Sequence, residues 1–559
     1  KYRGEQRGVT FTDAQLRTMV RLDLQVRLQA DGKDLEFFGL EPMTDEERNS
    51  VNGLVNTEEA VIREELDFVM DDLVANVEEA ASKFTPEQQE IFDAVTNAVS
   101  NGEPLQIFIS ARGGCGKTFI LNSILDAVRS SEPGGCVALA MATTGIAAQL
   151  LSLGRTFHSR LKPDPDPKED GTLNIAAQSG LAKLVKRAKL LMIDEATMLH
   201  RYYLEALDRS LRDLMEEPEA AFGNKIIILA GDYRQCLPVV PGANRAQVVD
   251  ICLTNSHLWH HFQIFRLSQN MRVMASGNEE LQRFDEWTVS LGDGTANDER
   301  DIVDIPEENY YQIYSNTAED SKIEERNMKD FCNQIFPNMA ENLNDENWLK
   351  GRAILAPTNV EVDAINGILE AKVPGNALKL SSADALEDSR DLMRFSVEYL
   401  NTLTPNGFPR HLLELKPGMP LIILRNISPK EGLCNGTKVT FIRCLSNKLL
   451  LCKLIGTNNK EVLIPRIKFI SKPGSYPFEW SRRQFQVRTP FATTINKSQG
   501  QTLKRVGVWL RSPVFSHGQL YVASSRTGNP NSLLFAIRKP PQYGYMQTEN
   551  PVFREVLID

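Results

Sequence analysis

Short, almost wholly apolar runs punctuate this chain. LQIFIS (105–110), CVALAMAT (136–143), KLLMIDEA (189–196) and KIIILAGD (225–232) each end on polar residues. Runs without polar alternation suit strands buried on both faces. FILNSILDAV (119–128) instead spaces its apolar positions as a helix does. Strands alternating with helices predict a parallel sheet covered on both faces, with working residues at the strands' carboxyl ends. A second set follows in AILAPTN (353–359), FQVRTPFATT (485–494), VGVWLR (506–511) and LLFAI (533–537). Between 412 and 470 the rhythm changes. PLIILRN, KVTFIRCL, KLLLCKLI and EVLIPRIKFI are closely spaced strands separated by Gly, Asn and Pro turns. They predict a small all-β barrel inserted into the second α/β domain. In RTFHSRLKPDPDPKEDGTLNI (155–175), Pro163, Pro165 and Pro167 forbid a helix, so this stretch reads as a protruding loop or hairpin. Residues 1–82 are polar and helical, a linker or accessory segment. No internal repeat is evident.

Length adds a domain count: 559 residues at roughly 150 each give three or four domains. With 42% hydrophobic and 24% charged residues, a wholly disordered chain is excluded. No apolar run approaches the roughly 18–20 residues of a spanning helix, and no signal peptide follows Lys1. The start at Lys1 suggests a fragment or a processed chain. Eight cysteines without a CxxC pair suit reduced thiols of an intracellular protein rather than a disulfide or zinc scaffold. HLWHHF (257–262) reads as aromatic packing between lobes. The net charge of −10 is local: residues 41–80 carry thirteen acids and two bases, a net −11, which leaves +1 for the remainder. A near-neutral body can still line one groove with Lys and Arg. The acidic stretch reads as solvated helix faces, with an arm for a basic partner as the alternative.

The strongest chemical signal is ARGGCGKT (111–118), between a strand and a helix. Gly113, Gly114 and Gly116 let backbone N–H groups turn onto phosphate oxygens, and the following helix adds its positive end. Lys117 is placed to reach the β- and γ-phosphates, and Thr118 to offer its hydroxyl to Mg²⁺. Ala111 stands where such loops usually begin with Gly, at a turn position. IDEA (193–196) ends a buried strand with paired carboxylates. Asp194 suits the metal, and Glu195 suits orienting or deprotonating the attacking water. Gln235 in GDYRQCLPV (231–239) is long enough to sense the γ-phosphate or position the water. Arg272 in QNMR and Arg526 in SSR are candidates for stabilising charge on the transferring phosphoryl group from the second α/β unit. Thr85 caps a helix with Pro86 at its first position, and Gln88 can pair with adenine.

Taken in order, FTPEQ (84–88), GGCGKT (113–118), ATTGIAA (142–148), RTFHS (155–159), IDEATM (193–198), GDYRQCLPV (231–239), LSQNMR (267–272), TTINKSQGQTL (493–503) and QLYVASSR (519–526) resemble the PIF-type (petite-integration-frequency) family of superfamily-one DNA helicases. YLNTLTPNGFPRHLLELKPGMPLIILRNISPKEGLCNGTKV (399–439) closely resembles the helicase part of Helitron transposases. Ser524 departs from the Leu common in the last motif. Those transposases carry an upstream HUH nickase, and no His-hydrophobic-His triplet occurs here. The resemblance implies two RecA-like parallel-sheet domains of P-loop NTPase type with an SH3-like β-barrel insertion and a short wedge hairpin. The expected divisions are 1–82 accessory, 83–265 first domain with a wedge at about 155–178, 266–411 and 481–559 second domain, and 412–480 barrel. The resemblance further implies ATP and Mg²⁺, 5′-to-3′ translocation on single-stranded DNA and unwinding of forked duplex, in a nuclear, monomeric protein serving rolling-circle transposition. An ATP-gated DNA clamp and a cellular genome-maintenance helicase are the alternatives. Lys117, Glu195, Gln235, Arg272 and Arg526 would be catalytic. Gln88, Gly113, Gly114, Cys115, Gly116, Lys117, Thr118 and Phe119 would hold the nucleotide, with Thr118 and Asp194 on the metal. Thr144, Thr156, His158, Thr494, Asn496, Ser498 and Gln499 would contact the strand. Lys497 and nearby Arg482, Arg483 and Arg488 are further basic candidates for tracking phosphates, with a solvated face as the alternative for the three Arg.

Overall fold

The computed structural model describes residues 57–558 apart from 241, 313–320, 389–393, 406, 429–431, 457–459, 472–475 and 539–545, together with a few positions among 1–56. Most of the helical reading of 1–56 therefore lies outside the described residues. Helices α1 (Thr57–Glu65) and α2 (Met70–Ala81) follow. Val61, Ile62 and Leu66 join the core of the first lobe, so this part is docked rather than a linker. Its acids are not all solvated either. Glu65 meets Arg160 at 2.6 Å with both side chains 2% exposed, and Glu64 meets Arg155 at 2.9 Å nearer the surface.

The first lobe opens with α3 (Pro86–Asn101), capped reciprocally by Thr85 and Gln88 with Pro86 in the first turn. Then come β1 (Gln106–Ala111), α4 (Lys117–Arg129), β2 (Ala138–Ala142), α5 (Gly145–Leu150), β3 (Arg155–Thr156), α6 (Phe157–Leu161), β4 (Leu190–Asp194), α7 (Arg201–Met215), β5 (Ile226–Gly231) and β6 (Gln263–Leu267). The six strands form one all-parallel sheet in the order β3-β2-β4-β5-β1-β6. Because β6 pairs with β1 through Leu267, the first lobe runs past the expected division at 265. HLWHHF lies inside this lobe, not between lobes: Trp259 packs on Phe108, Tyr233 and Phe262.

No strand occurs among residues 162–179, so the expected wedge hairpin is a loop. Pro163, Pro165 and Pro167 that rule out a helix also lack the N–H groups a ladder needs. α7 ties the loop down: Tyr203 donates to the Pro165 carbonyl, Arg209 to that of Gly171, and Ser210 accepts from Leu173 N–H.

The second lobe contains α8 (Glu279–Asp293), β7 (Tyr310–Gln312), β8 (Arg352–Ala356) and α9 (Asn359–Lys372) before an insertion. The insertion holds β9 (Ala383–Leu386), β10 (Pro420–Ile423), β11 (Lys438–Ser446), β12 (Leu449–Leu454), β13 (Glu461–Ile470), β14 (Trp480–Phe485) and β15 (Val487–Arg488). The chain then returns through β16 (Ala492–Thr494), β17 (Arg505–Leu510), α10 (Gln519–Ser524) and β18 (Leu533–Ile537). A parallel sheet in the order β7-β18-β17-β8-β16 forms the body of this lobe. The insertion is an antiparallel sheet, β9-β14-β13-β12-β11-β10-β15, wider than the expected 412–480, and its end strands are not paired to each other among the described residues. FQVRTPFATT accordingly divides: its start belongs to β14 and β15, and only Ala492–Thr494 enters the parallel sheet.

Arg482 anchors the insertion rather than tracking phosphates. It is fully buried, bonds Asp384 through Nε and Nη2, and donates to the carbonyls of Leu400, Leu403 and Pro409. Arg488 is likewise committed to Asp363 at 2.7 Å.

Removing one member of a buried ion pair strands the other charge and costs about 3–5 kcal/mol. Glu65→Ala should therefore lower the urea midpoint of the first lobe sharply. Glu64→Ala, at a half-exposed pair, should cost under about 1 kcal/mol. Equal midpoints for the two variants would contradict the docking of α1.

Candidate active site

Strand β1 delivers the loop 112–116 directly onto α4. Ala111 is 2% exposed and is the last residue of the strand, not part of a turn, so its methyl belongs to the core and leaves the loop unaltered. Gly114 and Gly116 have φ of +91° and +78°, a region that strains other residues. Space is denied there too: a Cβ on Gly114 would lie 2.6 Å from Asn270 Oδ1, and one on Gly116 2.6 Å from Gln88 Nε2. Gly113 faces open space, as the approach of a phosphate requires. Burial pushes the Cys115 thiol up to about 11, so it stays protonated and inert.

Gln88 is not turned toward a base. It is 2% exposed, its Oε1 accepts from Thr85 N–H at 3.1 Å, and its Nε2 donates to the Cys115 carbonyl at 3.3 Å. Both ends of the amide are spent bracing the loop. Phe119 is 38% exposed and meets Phe84 edge-on.

Lys117 projects from the first turn of α4 to the end of β4. Its Nζ lies 2.6 Å from Asp194 Oδ1 and 3.3 Å from Glu195 Oε1. Burial works to lower its pKa, but the two carboxylates outweigh that and raise it. Burial works to raise Glu195, yet Lys117, Gln499 and Arg526 hold its carboxyl below the usual range. Glu195 also sits at φ +51°, a left-handed backbone that a non-glycine residue adopts at a cost. Glu195 N–H donates to Asp194 Oδ1, and Thr143 Oγ1 donates to the Glu195 carbonyl, which fix it there. Thr118 is half-buried beside Lys117. The carboxylate of Asp194 and the hydroxyl of Thr118 are hard oxygen donors of the kind Mg²⁺ takes.

The second lobe closes the other side. Arg526 is 6% exposed and donates to the carbonyls of Val522, Ser498 and Gln501 and to Ser525 Oγ. It does not bond across the seam; its charge acts there on Glu195. Arg272 does not come from the second unit. It follows β6 of the first lobe, is exposed, and reaches Thr502 Oγ1 at 3.3 Å. Gln235 is buried, with Nε2 3.5 Å from Asp232 Oδ2 and Oε1 without a partner. Sequence reasoning passed over Asp232, whose carboxylate accepts from Tyr521 OH of α10 at 2.7 Å. The GD pair at the end of β5 was the available signal.

The expected strand contacts separate into two groups. Thr144 and Thr156 cap α5 and α6, and His158 is exposed with its ring against Tyr203. Thr494 and Asn496 are half-buried on the second lobe, where Asn496 Oδ1 accepts from Gln519. Ser498 and Gln499 are buried instead. Ser498 donates to the Ile495 carbonyl, and Gln499 Nε2 donates to Glu195 Oε2 at 3.1 Å, so neither presents its side chain to a groove. The insertion reaches the first lobe nearby: Gln149 donates to Thr437 Oγ1, and Asn435 O lies 2.7 Å from where a Cβ on Gly145 would be.

Comparison with known proteins bears on this arrangement. The profile described as PIF1-like helicase matches residues 83–302, and that described as DNA helicase Pif1, 2B domain, matches 398–443. ATP-dependent DNA helicase PIF1 of Danio rerio is 25% identical over 454 residues, which is 80% of this chain and 60% of that protein. ATP-dependent DNA helicase Pif1 of Bdellovibrio bacteriovorus is 25% identical over 458 residues, 81% of this chain and 87% of that protein. The chain thus spans about 60% of the length of the Danio rerio relative. In fold it is similar to Pif1 helicase from Candida albicans, with a TM-score of 0.53, 22% identity, and coverage of 82% of this chain and 95% of that one. The Pif1 helicase from Bacteroides in complex with ADP-AlF3 and ssDNA gives a TM-score of 0.56 at 21% identity, covering 81% and 92%.

One buried histidine joins the lobes and responds to acid. His517 Nδ1 accepts from Phe553 N–H at 2.9 Å, so its Nε2–H donates to the Tyr233 carbonyl at 2.7 Å. Burial holds it neutral, down to about 4, against about 6.5 for a free imidazole. Between those values the unfolded chain carries the proton and the folded one does not. Stability should therefore fall as pH drops from about 6.5 toward 4, by up to about 3 kcal/mol from this residue. In His517→Ala the protein should be weaker at pH 7 but show a flatter decline in urea midpoint on acidification. An unchanged slope would contradict this account.

Proposed function

We propose that this chain, which belongs to the PIF1-like helicase family, is an ATP-dependent DNA helicase that hydrolyses ATP at the seam between its lobes and moves along single-stranded DNA. The observation that carries this reading is Lys117, on the phosphate loop, set against Asp194 and Glu195 at one wall of a seam whose other wall supplies Gln499 and Arg526. Lys117 exchanges its carboxylate partners for the β- and γ-phosphates of ATP. Thr118 and Asp194 would hold Mg²⁺, which supplies charge neutralisation along the phosphate chain. Glu195 orients and deprotonates the attacking water, with Gln235 Oε1 available as a second acceptor. Arg526 would stabilise the charge that develops on the phosphoryl group, and Arg272, from the first lobe, is retained as a candidate for the same task.

Strand contact falls to Thr144, Thr156 and His158 on one lobe and Thr494 and Asn496 on the other. Hydroxyl and amide groups suit backbone contact without sequence readout. A change in lobe separation on phosphate release then shifts one group past the other. We assign 5′-to-3′ polarity and forked duplex as substrate on family grounds. The loop 162–179 is our candidate for the strand-separating wedge. For the biological setting we retain rolling-circle transposition in the nucleus, on the resemblance of 399–439 to Helitron transposases. The cellular relatives, named as Pif1 helicases, favour genome maintenance as the second setting.

Lys117→Ala and Glu195→Gln should abolish ATP turnover while single-strand binding persists; wild-type turnover in either removes these assignments. Arg526→Ala should lower kcat about 10³-fold or more with little change in ATP affinity. A 5′-tailed duplex should be unwound and a 3′-tailed one left intact. ATP turnover without strand release on either would instead support a clamp.

A further inference from the structure

Gln499, like Tyr521, belongs to one lobe and bonds a residue of the other, and its partner is the proposed base. It is 1% exposed, and its Nε2 donates to Glu195 Oε2 at 3.1 Å across the seam. Its Oε1 is buried without a partner. A buried amide costs free energy unless it is bonded, so a residue placed only for packing would be apolar here.

The segment that carries Gln499 is short and tied at several points. β16 ends at Thr494, residues Ile495–Ser498 make one tight turn, and Gln499 follows at once. Thr494 and Asn496, our strand contacts, lie three to five residues before it. Asn496 is bonded by Gln519, and the carbonyls of Ser498 and Gln501 both accept from Arg526. Little slack separates the turn from the seam, so a displacement at Thr494 or Asn496 moves the Gln499 amide relative to Glu195. A shift of about 1 Å in a group that positions catalytic atoms is worth about 10²-fold in rate.

We propose that Gln499 is a positioning residue that sets the Glu195 carboxylate according to the state of the strand-contact turn, and so makes ATP turnover respond to bound single-stranded DNA. It acts through Glu195 and touches neither strand nor nucleotide. This rests on the helicase reading above, with Glu195 as the base.

The test uses the full chain and measures ATP turnover with and without oligothymidylate. Gln499→Met keeps the length and bulk of the side chain and removes its amide; Gln499→Ala is the second variant. In both, strand-stimulated kcat should fall at least tenfold and further than the strand-free rate, so the stimulation factor drops toward one. KM for ATP and oligothymidylate affinity should stay within about twofold of wild type. A wild-type stimulation factor in Gln499→Met, whether because neither rate changes or because both fall together, overturns the proposal. Weaker oligothymidylate binding by Gln499→Met in proportion to the lost turnover overturns it as well, since Gln499 would then be a strand contact. Absence of stimulation in the wild-type chain would strike the helicase reading itself, which keeps the two failures distinct.

Discussion

A single buried ammonium shared by two carboxylates governs this molecule. Lys117, Asp194 and Glu195 leave water together, which none of them tolerates alone. Their arrangement depends on the parallel sheet, which brings the end of β4 within reach of the first turn of α4 although β5 lies between β4 and β1. It also depends on the left-handed backbone at Glu195, held by Thr143. A polyanionic ligand is the natural competitor for Lys117, because it offers the cation the same compensation that the carboxylates give.

The second lobe completes the site by contacts of a different kind. Arg526 satisfies its donors within its own lobe, and only its field crosses the seam. Gln499 and Tyr521 make direct bonds across it, to Glu195 and Asp232. Arg112 to Asp285, Arg234 to Asp293 and His517 to the Tyr233 carbonyl add further polar contacts between the lobes, and contacts of this kind can exchange partners as the seam opens and closes.

Much of the core was legible in the sequence because buried parallel strands leave an unmistakable mark: short, almost wholly apolar runs that end in chemistry. β1, β2, β4 and β5 and the residues at their ends were all readable on that basis. Misreadings arose where partners are distant along the chain. Gln499 looked like a strand contact, since nothing near residue 499 announces Glu195, 304 residues away. Arg482 looked like a surface cation until Asp384, 98 residues earlier, supplied the countercharge that permits its burial. The limits of the insertion were missed for a related reason: ADAL and WSRRQF carry polar and charged residues that the inserted sheet itself neutralises or leaves exposed.

The docked acidic helix adds a constraint on how the first lobe can move. Glu65 and Glu64 hold Arg160 and Arg155, which bracket Thr156 and His158 in the chain. On the far side of α5, the 435–437 turn of the insertion approaches so closely that only glycine fits at 145. The edge of the first lobe that carries Thr144, Thr156 and His158 is thus braced from its own amino-terminal side and overlooked by the second lobe. The 494–499 turn is tied in its own way, by Gln519 on Asn496 and by Arg526 on the Ser498 carbonyl, so a displacement there is passed to Gln499 and the seam rather than absorbed.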